Sequence, residues 1–210
     1  DYFYEVWNDK CVSKKKGKKP SEYTEAHAHM EEVYASLLKK YKDIETYSDW
    51  EKDTIEVNKI TPVDNGVHAS RKRPQVLQTI QYLSDNADHV IIQTPYVICN
   101  GYMYDVLQQI SDHAKLQIVL NAVEKGSNPW GCTDYLNQKK RILKTGADVY
   151  ELMNEYPVHT KTVLIDDRLS VVGSYNLDMR STYLDTELML VIDSEKLNQQ
   201  IRATESDYME

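Results

Sequence analysis

The chain has 210 residues, of which 41% are hydrophobic and 28% are charged, and its formal net charge is −8. This length allows one domain with a sizeable core, and the composition is typical of a soluble globular protein. No apolar run approaches the roughly 20 residues that span a bilayer, and the acidic balance argues against a broad nucleic-acid surface. The three cysteines lack the spacing of a zinc site or the density of a disulfide scaffold. We expect neither a metal nor a cofactor.

The first 73 residues differ in character from the rest. Residues 1–7 are apolar and begin with neither a Met nor a cationic signal sequence. Residues 10–20 contain six lysines, a glycine and a proline, which is typical of a solvated linker. We therefore interpret residues 1–20 as the tail of a preceding half-domain followed by a Lys-rich linker. Residues 21–73 are predicted to be a helix, from Ser21 to about Lys42, and then an irregular polar loop.

From Pro74 onward, the pattern changes to alternating helices and strands. Apolar spacing predicts helices near residues 76–87, 106–110 and 133–144, the last of which ends at Gly146. Strands are predicted at residues 89–93, 116–120, 147–152, 160–166, 169–172 and 187–193. This alternation predicts an α/β fold, an α-β-α sandwich with a mixed, largely parallel central sheet. Residues 74–210 are predicted to form this single domain.

Six positions at fixed spacing make two linked motifs, H-x-K-x4-D and G-S-x-N: His159, Lys161, Asp166, Gly173, Ser174 and Asn176. Residues two apart in a strand point to the same side, so His159 and Lys161 face one way, as do Ser174 and Asn176. A histidine supplies a nucleophile, a lysine a compact positive charge, and the hydroxyl and amide neutral donors. The motifs therefore predict a site for one small anion such as phosphate, with no need for a metal.

These motifs resemble the HKD signature of the phospholipase D superfamily. Residues 174–187, SYNLDMRSTYLDTE, are similar to the cardiolipin synthase branch, where N-x-D-x-R-S and x-N-x-E follow the glycine. Asp185 stands where that branch often has Asn. Residues 91–96, IIQTPY, look like the branch's strand that ends in a Pro-Tyr turn. The resemblance covers about residues 74–203 and implies the C-terminal half, with one HKD motif, of a two-motif enzyme.

The resemblance also implies roles for individual residues. In the superfamily, one histidine attacks phosphorus and a second histidine protonates the leaving alcohol. His159 is one of these two, and which one is left open. Lys161, with Ser174 and Asn176, is implied to bind the phosphate oxygens. Asp166 and Glu187 are implied to orient the imidazole or to hold the lysine, which completes the predicted catalytic set.

One imidazole cannot serve both faces of phosphorus during an in-line displacement. The chain has one other H-x-K, His113-Ala114-Lys115, but Leu120 occupies the position that should be Asp. We therefore interpret it as a chance match. The second histidine is expected from a missing N-terminal half of a longer parent chain, or from the mate in a twofold homodimer.

The expected function is metal-independent phosphodiester transfer or hydrolysis through a phosphohistidine intermediate. The resemblance favours cardiolipin synthase-like phosphatidyl transfer on a phosphatidylglycerol-like phospholipid. The parent protein is then expected at a membrane surface, with the fragment itself soluble and nucleic acid not a partner. Two alternatives stay open: a nuclease or phosphodiesterase of the same superfamily, and a half-enzyme that is inactive in isolation.

Overall fold

The computed structural model describes residues 2–9, 24–42, 52, 54–67, 72–126 and 128–209. The chain divides into two compact units, Asp1–Thr54 and Ile55–Glu210. The first contains helices α1 (Tyr2–Asn8) and α2 (Thr24–Lys40), neither of which has a buried residue. Helix α2 confirms the predicted helix, while its predicted start at Ser21 and the Lys-rich linker lie outside the described residues. The proposed division of the chain at residues 20 and 73 stays a prediction.

The second unit carries the remaining elements. Its strands are β1 (Lys59–Asp64), β2 (His89–Gln93), β3 (Val97–Ile98), β4 (Lys115–Asn121), β5 (Asp148–Leu152), β6 (Thr162–Ile165), β7 (Leu169–Gly173), β8 (Leu177–Asp178) and β9 (Leu188–Asp193). Its helices are α3 (Gln75–Ser84), α4 (Gly101–Ser111), α5 (Pro129–Leu143), α6 (Met179–Tyr183) and α7 (Glu195–Met209), with a 3-10 turn at Val123–Lys125. Each helix and strand predicted after residue 74 is present, with bounds that differ by a few residues.

Among the described residues, seven strands form one sheet in the order β1-β9-β7-β6-β2-β4-β5, and β3 pairs with β8 separately. The β2–β4 and β4–β5 pairings are parallel, whereas the other four pairings in the large sheet are antiparallel. A mixed sheet is thus confirmed, but the prediction that it is largely parallel is wrong. Parallel neighbours need a long crossover, which α4 and α5 provide. A turn at residues 166–168 joins β6 to β7 directly, so this pair is antiparallel.

Strand β1 was not predicted, because it lies in the stretch interpreted as an irregular loop and contains Pro62. A proline cannot donate to a sheet, which argues against a central strand. Strand β1 is at the edge of the sheet and pairs only with β9. An edge strand leaves half of its N–H groups without a strand partner, so a proline is tolerated there.

Apolar side chains cover both faces of the sheet. On one face, Ile92 and Ile118 belong to a core shared with residues of α3, α4 and α5. On the other, Ile91 and Val119 pack with Ile201 of α7. Successive strand residues point to opposite faces, so strands covered on both sides are apolar throughout. The three layers confirm the predicted α-β-α sandwich. No described helix combines the length and apolarity needed to cross a bilayer.

Helix α7 places a carboxylate against the centre of the sheet. Glu205 is 1% exposed and accepts a hydrogen bond from Thr162 Oγ1 of β6. Its second oxygen, Oε2, has no hydrogen-bond partner among the described residues. Burial raises the pKa of Glu205 to about 7, although the Thr162 hydrogen bond and the charge of Arg202 act in the opposite direction. The protonated form therefore fits the interior better than the ionised form.

We expect the free energy of unfolding to fall as pH rises from about 5 to about 7. In this window the folded chain keeps the Glu205 proton, whereas an unfolded carboxyl with its ordinary pKa of 4.5 has lost it, so rising pH favours unfolding. Glu205→Gln removes this titration. Relative to wild type, it should gain on the order of 1–3 kcal/mol between pH 5 and pH 8 in urea denaturation. The exposed Glu155→Gln is the matched control. A difference between Glu205→Gln and wild type that does not change with pH would contradict the prediction.

Candidate active site

Five of the six predicted motif residues, all but Asp166, lie where β6 begins and β7 ends. His159 and Lys161 precede β6, and Ser174 and Asn176 follow β7. Because β6 and β7 are antiparallel neighbours, the start of one lies beside the end of the other. The Gly173 N–H donates to the Lys161 carbonyl oxygen at 3.4 Å, which joins the two segments directly. The structure thus brings both halves of the motif to one place.

Gly173 allows the backbone of β9 to approach this junction. A Cβ atom at Gly173 would lie 2.2 Å from the Leu188 carbonyl oxygen and 2.8 Å from Met189 Cα. Both neighbours are backbone atoms, so no side-chain rotation could relieve the overlap. The Ser174 N–H donates to the Leu188 carbonyl oxygen at 3.1 Å across the same gap. A glycine is therefore needed at this point in the motif.

Lys161 and His159 form the centre of the group. The Lys161 side chain is largely buried, and its Nζ lies 2.8 Å from His159 Nδ1, 3.4 Å from Nε2 and 2.8 Å from the His159 carbonyl oxygen. Burial lowers the pKa of Lys161, while the carboxylates of Glu187 and Asp178 act to raise it. Burial, followed by the nearby Lys161 charge, lowers the pKa of His159. Both effects favour the neutral imidazole, which has a lone pair available on one ring nitrogen.

Ser174 connects the motif to Glu187. The Ser174 hydroxyl donates to the Glu187 carboxylate and accepts from the Leu188 N–H at 3.0 Å. Glu187 is 5% exposed, and its charge favours the protonated form of Lys161. The structure therefore places three of the predicted site residues, Lys161, Ser174 and Glu187, in one electrostatic group.

Asn176 lies between this group and an open cleft. Its Nδ2 donates to Ser181 Oγ at 3.3 Å, and its buried Oδ1 has no hydrogen-bond partner among the described residues. The cleft has a volume of about 470 Å³, and its lining includes Tyr96, Gly131 and Asp178 in addition to Asn176. The cleft thus offers space for a group attached to a phosphate at the motif.

Two contacts to the His159 segment were not predicted. The Tyr96 ring meets the His159 ring edge-on, with centroids 6.2 Å apart and planes at 77°. Asn121 makes a pair of hydrogen bonds with Val158, since Nδ2 donates to the Val158 carbonyl oxygen and Oδ1 accepts from the Val158 N–H, both at 2.8 Å. In the sequence, the signal for Asn121 is an amide at the end of a mostly apolar and buried strand.

Asp166 is not brought to this group. It follows the C-terminal end of β6, whereas His159 and Lys161 precede its start. Its Oδ1 accepts hydrogen bonds from the backbone N–H groups of Asp88 and His89 at 2.9 and 3.0 Å. Its φ of 46° is in the left-handed region, which Asp tolerates better than most residues. Asp166 therefore ties the β6–β7 turn to the start of β2, and its position does not fit the predicted role beside the imidazole.

The second H-x-K lies elsewhere in the unit. His113 follows the end of α4, and its Nε2 is 2.8 Å from the Ser84 carbonyl oxygen. Lys115 is exposed at the start of β4. Within the described ranges there is also no group of three His, Cys, Asp or Glu side chains that could hold a metal ion.

Solved structures share this fold. Nuc from Salmonella typhimurium, a phospholipase D family member, aligns with a TM-score of 0.57 at 16% identity, covering 71% of this chain and 93% of that one. Phosphatidylserine synthase from Haemophilus influenzae Rd KW20 aligns with a TM-score of 0.53 at 18% identity, covering 72% and 38%. The chain therefore has a phospholipase D-like fold.

Sequence comparison shows the family. Residues 79–207 match the family described as cardiolipin synthase, PLD-like domain, and the chain belongs to it. Cardiolipin synthase A from Klebsiella pneumoniae is 31% identical over 140 residues, which are 64% of this chain and 27% of that protein. An uncharacterized protein from Helicobacter pylori is 26% identical over 140 residues, covering 60% and 28%. The chain thus spans less than a third of the length of these relatives, and the resemblance stated from the motifs is confirmed.

We expect Asp166→Ala to lower the free energy of unfolding by about 1–2 kcal/mol, because two N–H groups lose their acceptor and Ala disfavours a positive φ. Asp166→Asn keeps an acceptor oxygen and tolerates the same φ, so its stability should stay near wild type. Urea denaturation measures both. The control is Asp167→Ala, since the Asp167 side chain is 86% exposed. Wild-type stability in Asp166→Ala would show that the turn does not need this carboxylate.

Proposed function

We propose that this chain supplies one half of a metal-independent phosphodiester-transfer site that works through a phosphohistidine. The observation that carries the proposal is the contact of the His159 imidazole with the largely buried Lys161, whose Nζ lies 2.8 Å from His159 Nδ1. A neutral imidazole is a nucleophile, and a desolvated ammonium stabilises the negative charge of a phosphate strongly. Membership of the cardiolipin synthase, PLD-like domain family supports this class of chemistry.

Phosphate binding would rearrange the pair. In the contacts described above, Lys161 Nζ donates to a ring nitrogen of His159 and to the His159 carbonyl oxygen, and neither acceptor carries a charge. A phosphate oxygen carries more negative charge than either and would draw the ammonium away from Nδ1. Ser174 and Asn176, which follow β7, would then contribute neutral donors from the other side of the junction. Glu187, through its attraction for Lys161, would keep the lysine charged and in place.

The reaction we propose has two displacements. In the first, a His159 nitrogen forms a bond to phosphorus while the bond from phosphorus to the alcohol oxygen breaks, and a second imidazole gives that oxygen a proton. In the second, water or another alcohol loses a proton to the second imidazole and attacks phosphorus, and the phosphorus–nitrogen bond breaks. Water gives hydrolysis, and an alcohol gives transfer.

The second imidazole must come from outside the described site. In-line displacement needs groups on opposite faces of phosphorus, and His113 lies at the end of α4, bonded to the Ser84 carbonyl. The relatives extend far beyond the matched segment, which supports a second half within a longer parent chain. A twofold homodimer that pairs two His159 side chains is the alternative.

We propose a phosphatidylglycerol-like phospholipid as the substrate and a membrane surface as the place where the parent protein works. The family supports a lipid substrate. Charge argues against the nuclease alternative, because the cleft beside Asn176 is lined by Asp134, Asp178 and Asp185, and Arg180 is the one basic residue among its described lining residues. Such a cleft disfavours a polyanion such as DNA or RNA.

The test uses the form that contains both imidazoles, either the parent chain or the dimer, on phosphatidylglycerol vesicles in the presence of a chelator. We expect cardiolipin or phosphatidate, together with a phosphohistidine that survives base and is lost in acid. His159→Ala should lower the rate by at least about 10³-fold, because it removes the attacking nitrogen. Lys161→Ala should lower it comparably.

His113→Ala is the matched control and should keep full activity. If neither lipid product forms, the lipid substrate is wrong. If DNA or RNA is cleaved in the chelator instead, with loss of cleavage in His159→Ala, the nuclease alternative replaces it. Full activity of His159→Ala would contradict the proposed chemistry altogether.

A further inference from the structure

Tyr96 lies close to both the His159 imidazole and helix α5. Its ring meets the His159 ring edge-on at 6.2 Å between centroids. It also lies beside Gly131, where an added Cβ would lie 3.1 Å from Tyr96 Cδ1 and 3.4 Å from Cε1. The aromatic ring is thus near both the backbone of α5 and the imidazole.

The backbone that carries Tyr96 is held in place independently. Strands β2 and β6 are antiparallel with Gln93 opposite Thr162, so the residues after β2 lie beside those before β6. Thr94 Oγ1 donates to the Tyr96 carbonyl oxygen at 3.0 Å and accepts from the Leu177 N–H at 3.2 Å. The β2–β6 register therefore places Tyr96, three residues after Gln93, opposite His159, three residues before Thr162.

The Tyr96 contact differs from the Lys161 contact in one respect. Lys161 Nζ lies 2.8 Å from His159 Nδ1, but a phosphate would attract the ammonium away. An edge-on aromatic contact carries no net charge and favours one ring orientation over the others. Such a contact does not compete with a bound anion, so it can hold the imidazole when its orientation matters for attack.

We propose that Tyr96 is a positioning residue that orients the His159 imidazole, and that Gly131 provides the clearance that sets where the Tyr96 ring lies. The proposal rests on the proposed function in one point, that His159 is a reacting group. It assigns a role to the Pro-Tyr turn and to the first turn of α5, neither of which contributes a charged group.

Three variants separate the contributions of the Tyr96 ring, the Tyr96 hydroxyl and the space left by Gly131. Tyr96→Phe keeps the ring and should match wild type. Tyr96→Leu removes the ring, so the imidazole becomes more exposed and the lowered pKa of His159 should rise toward 6.5. Gly131→Ala should displace the Tyr96 ring by a few tenths of an ångström and shift the His159 ring signals. The controls are Tyr82→Leu, a 74% exposed tyrosine, and Gly101→Ala, where an added Cβ meets nothing within 4 Å.

The first measurement is the titration and ring-nitrogen spectrum of His159 by NMR in this chain, with the His113 signals as a check on folding. It requires no catalysis, so it can succeed even if the proposed function fails. The second is steady-state kinetics in the form with both imidazoles, where Tyr96→Leu should lower kcat roughly tenfold with KM little changed and Tyr96→Phe should restore it.

The proposal is overturned if Tyr96→Leu leaves both the His159 titration and its ring-nitrogen spectrum unchanged while the control signals show a folded chain. It is also overturned if Tyr96→Phe alters His159 as strongly as Tyr96→Leu, because the hydroxyl and not the ring would then be responsible. Both proposals are supported if His159→Ala loses all activity and Tyr96→Leu changes the His159 titration and ring-nitrogen spectrum as expected. Retained activity in His159→Ala rejects only the proposed function.

Discussion

The antiparallel pairing of β6 with β7 is the constraint on which the candidate site depends. It places the residues before one strand beside the residues after the other, so two short motifs separated by a turn meet without any long-range docking. Gly173 makes the meeting possible, because any side chain there would collide with the backbone of β9. A hairpin held between two other strands of the same sheet is stiff, which suits a site that must hold its groups before a ligand arrives.

The charge of Lys161 at this junction is balanced by nearby carboxylates. Lys161 is largely buried, and burial alone would favour its neutral form, yet Glu187 and Asp178 act against that effect. Ser174 links Glu187 to the backbone of β9, so the balancing carboxylate is itself anchored. Lys161 is therefore a cation in a low-dielectric environment. The nearby carboxylates offset its charge only in part, so it can still attract an added anion.

Predictions from the sequence held for features that local backbone geometry sets. They failed for features that depend on which strands pair in the sheet. Strand alternation predicted that His159 and Lys161 face one way, and Lys161 Nζ does lie 2.8 Å from His159 Nδ1, although both residues precede β6. Asp166 could have been placed by the same rule, because seven residues of extended chain carry it roughly 20 Å from His159. Tyr96 and Asn121 reach the His159 segment through the β2–β6 and β2–β4 pairings, whose order no local pattern contains. The expectation of a largely parallel sheet failed because helix–strand alternation stops after β5.

Strand β2 marks the border between the two halves of the sheet, with parallel β4 on one side and antiparallel β6 on the other. The His–Lys and Ser–Asn segments come from the antiparallel half. Tyr96, Gly131 and Asp134, which form one wall of the cleft, come from the connections that follow β2 and β4. Insertions and exchanges in those connections could therefore reshape what the cleft admits while the hairpin stays intact.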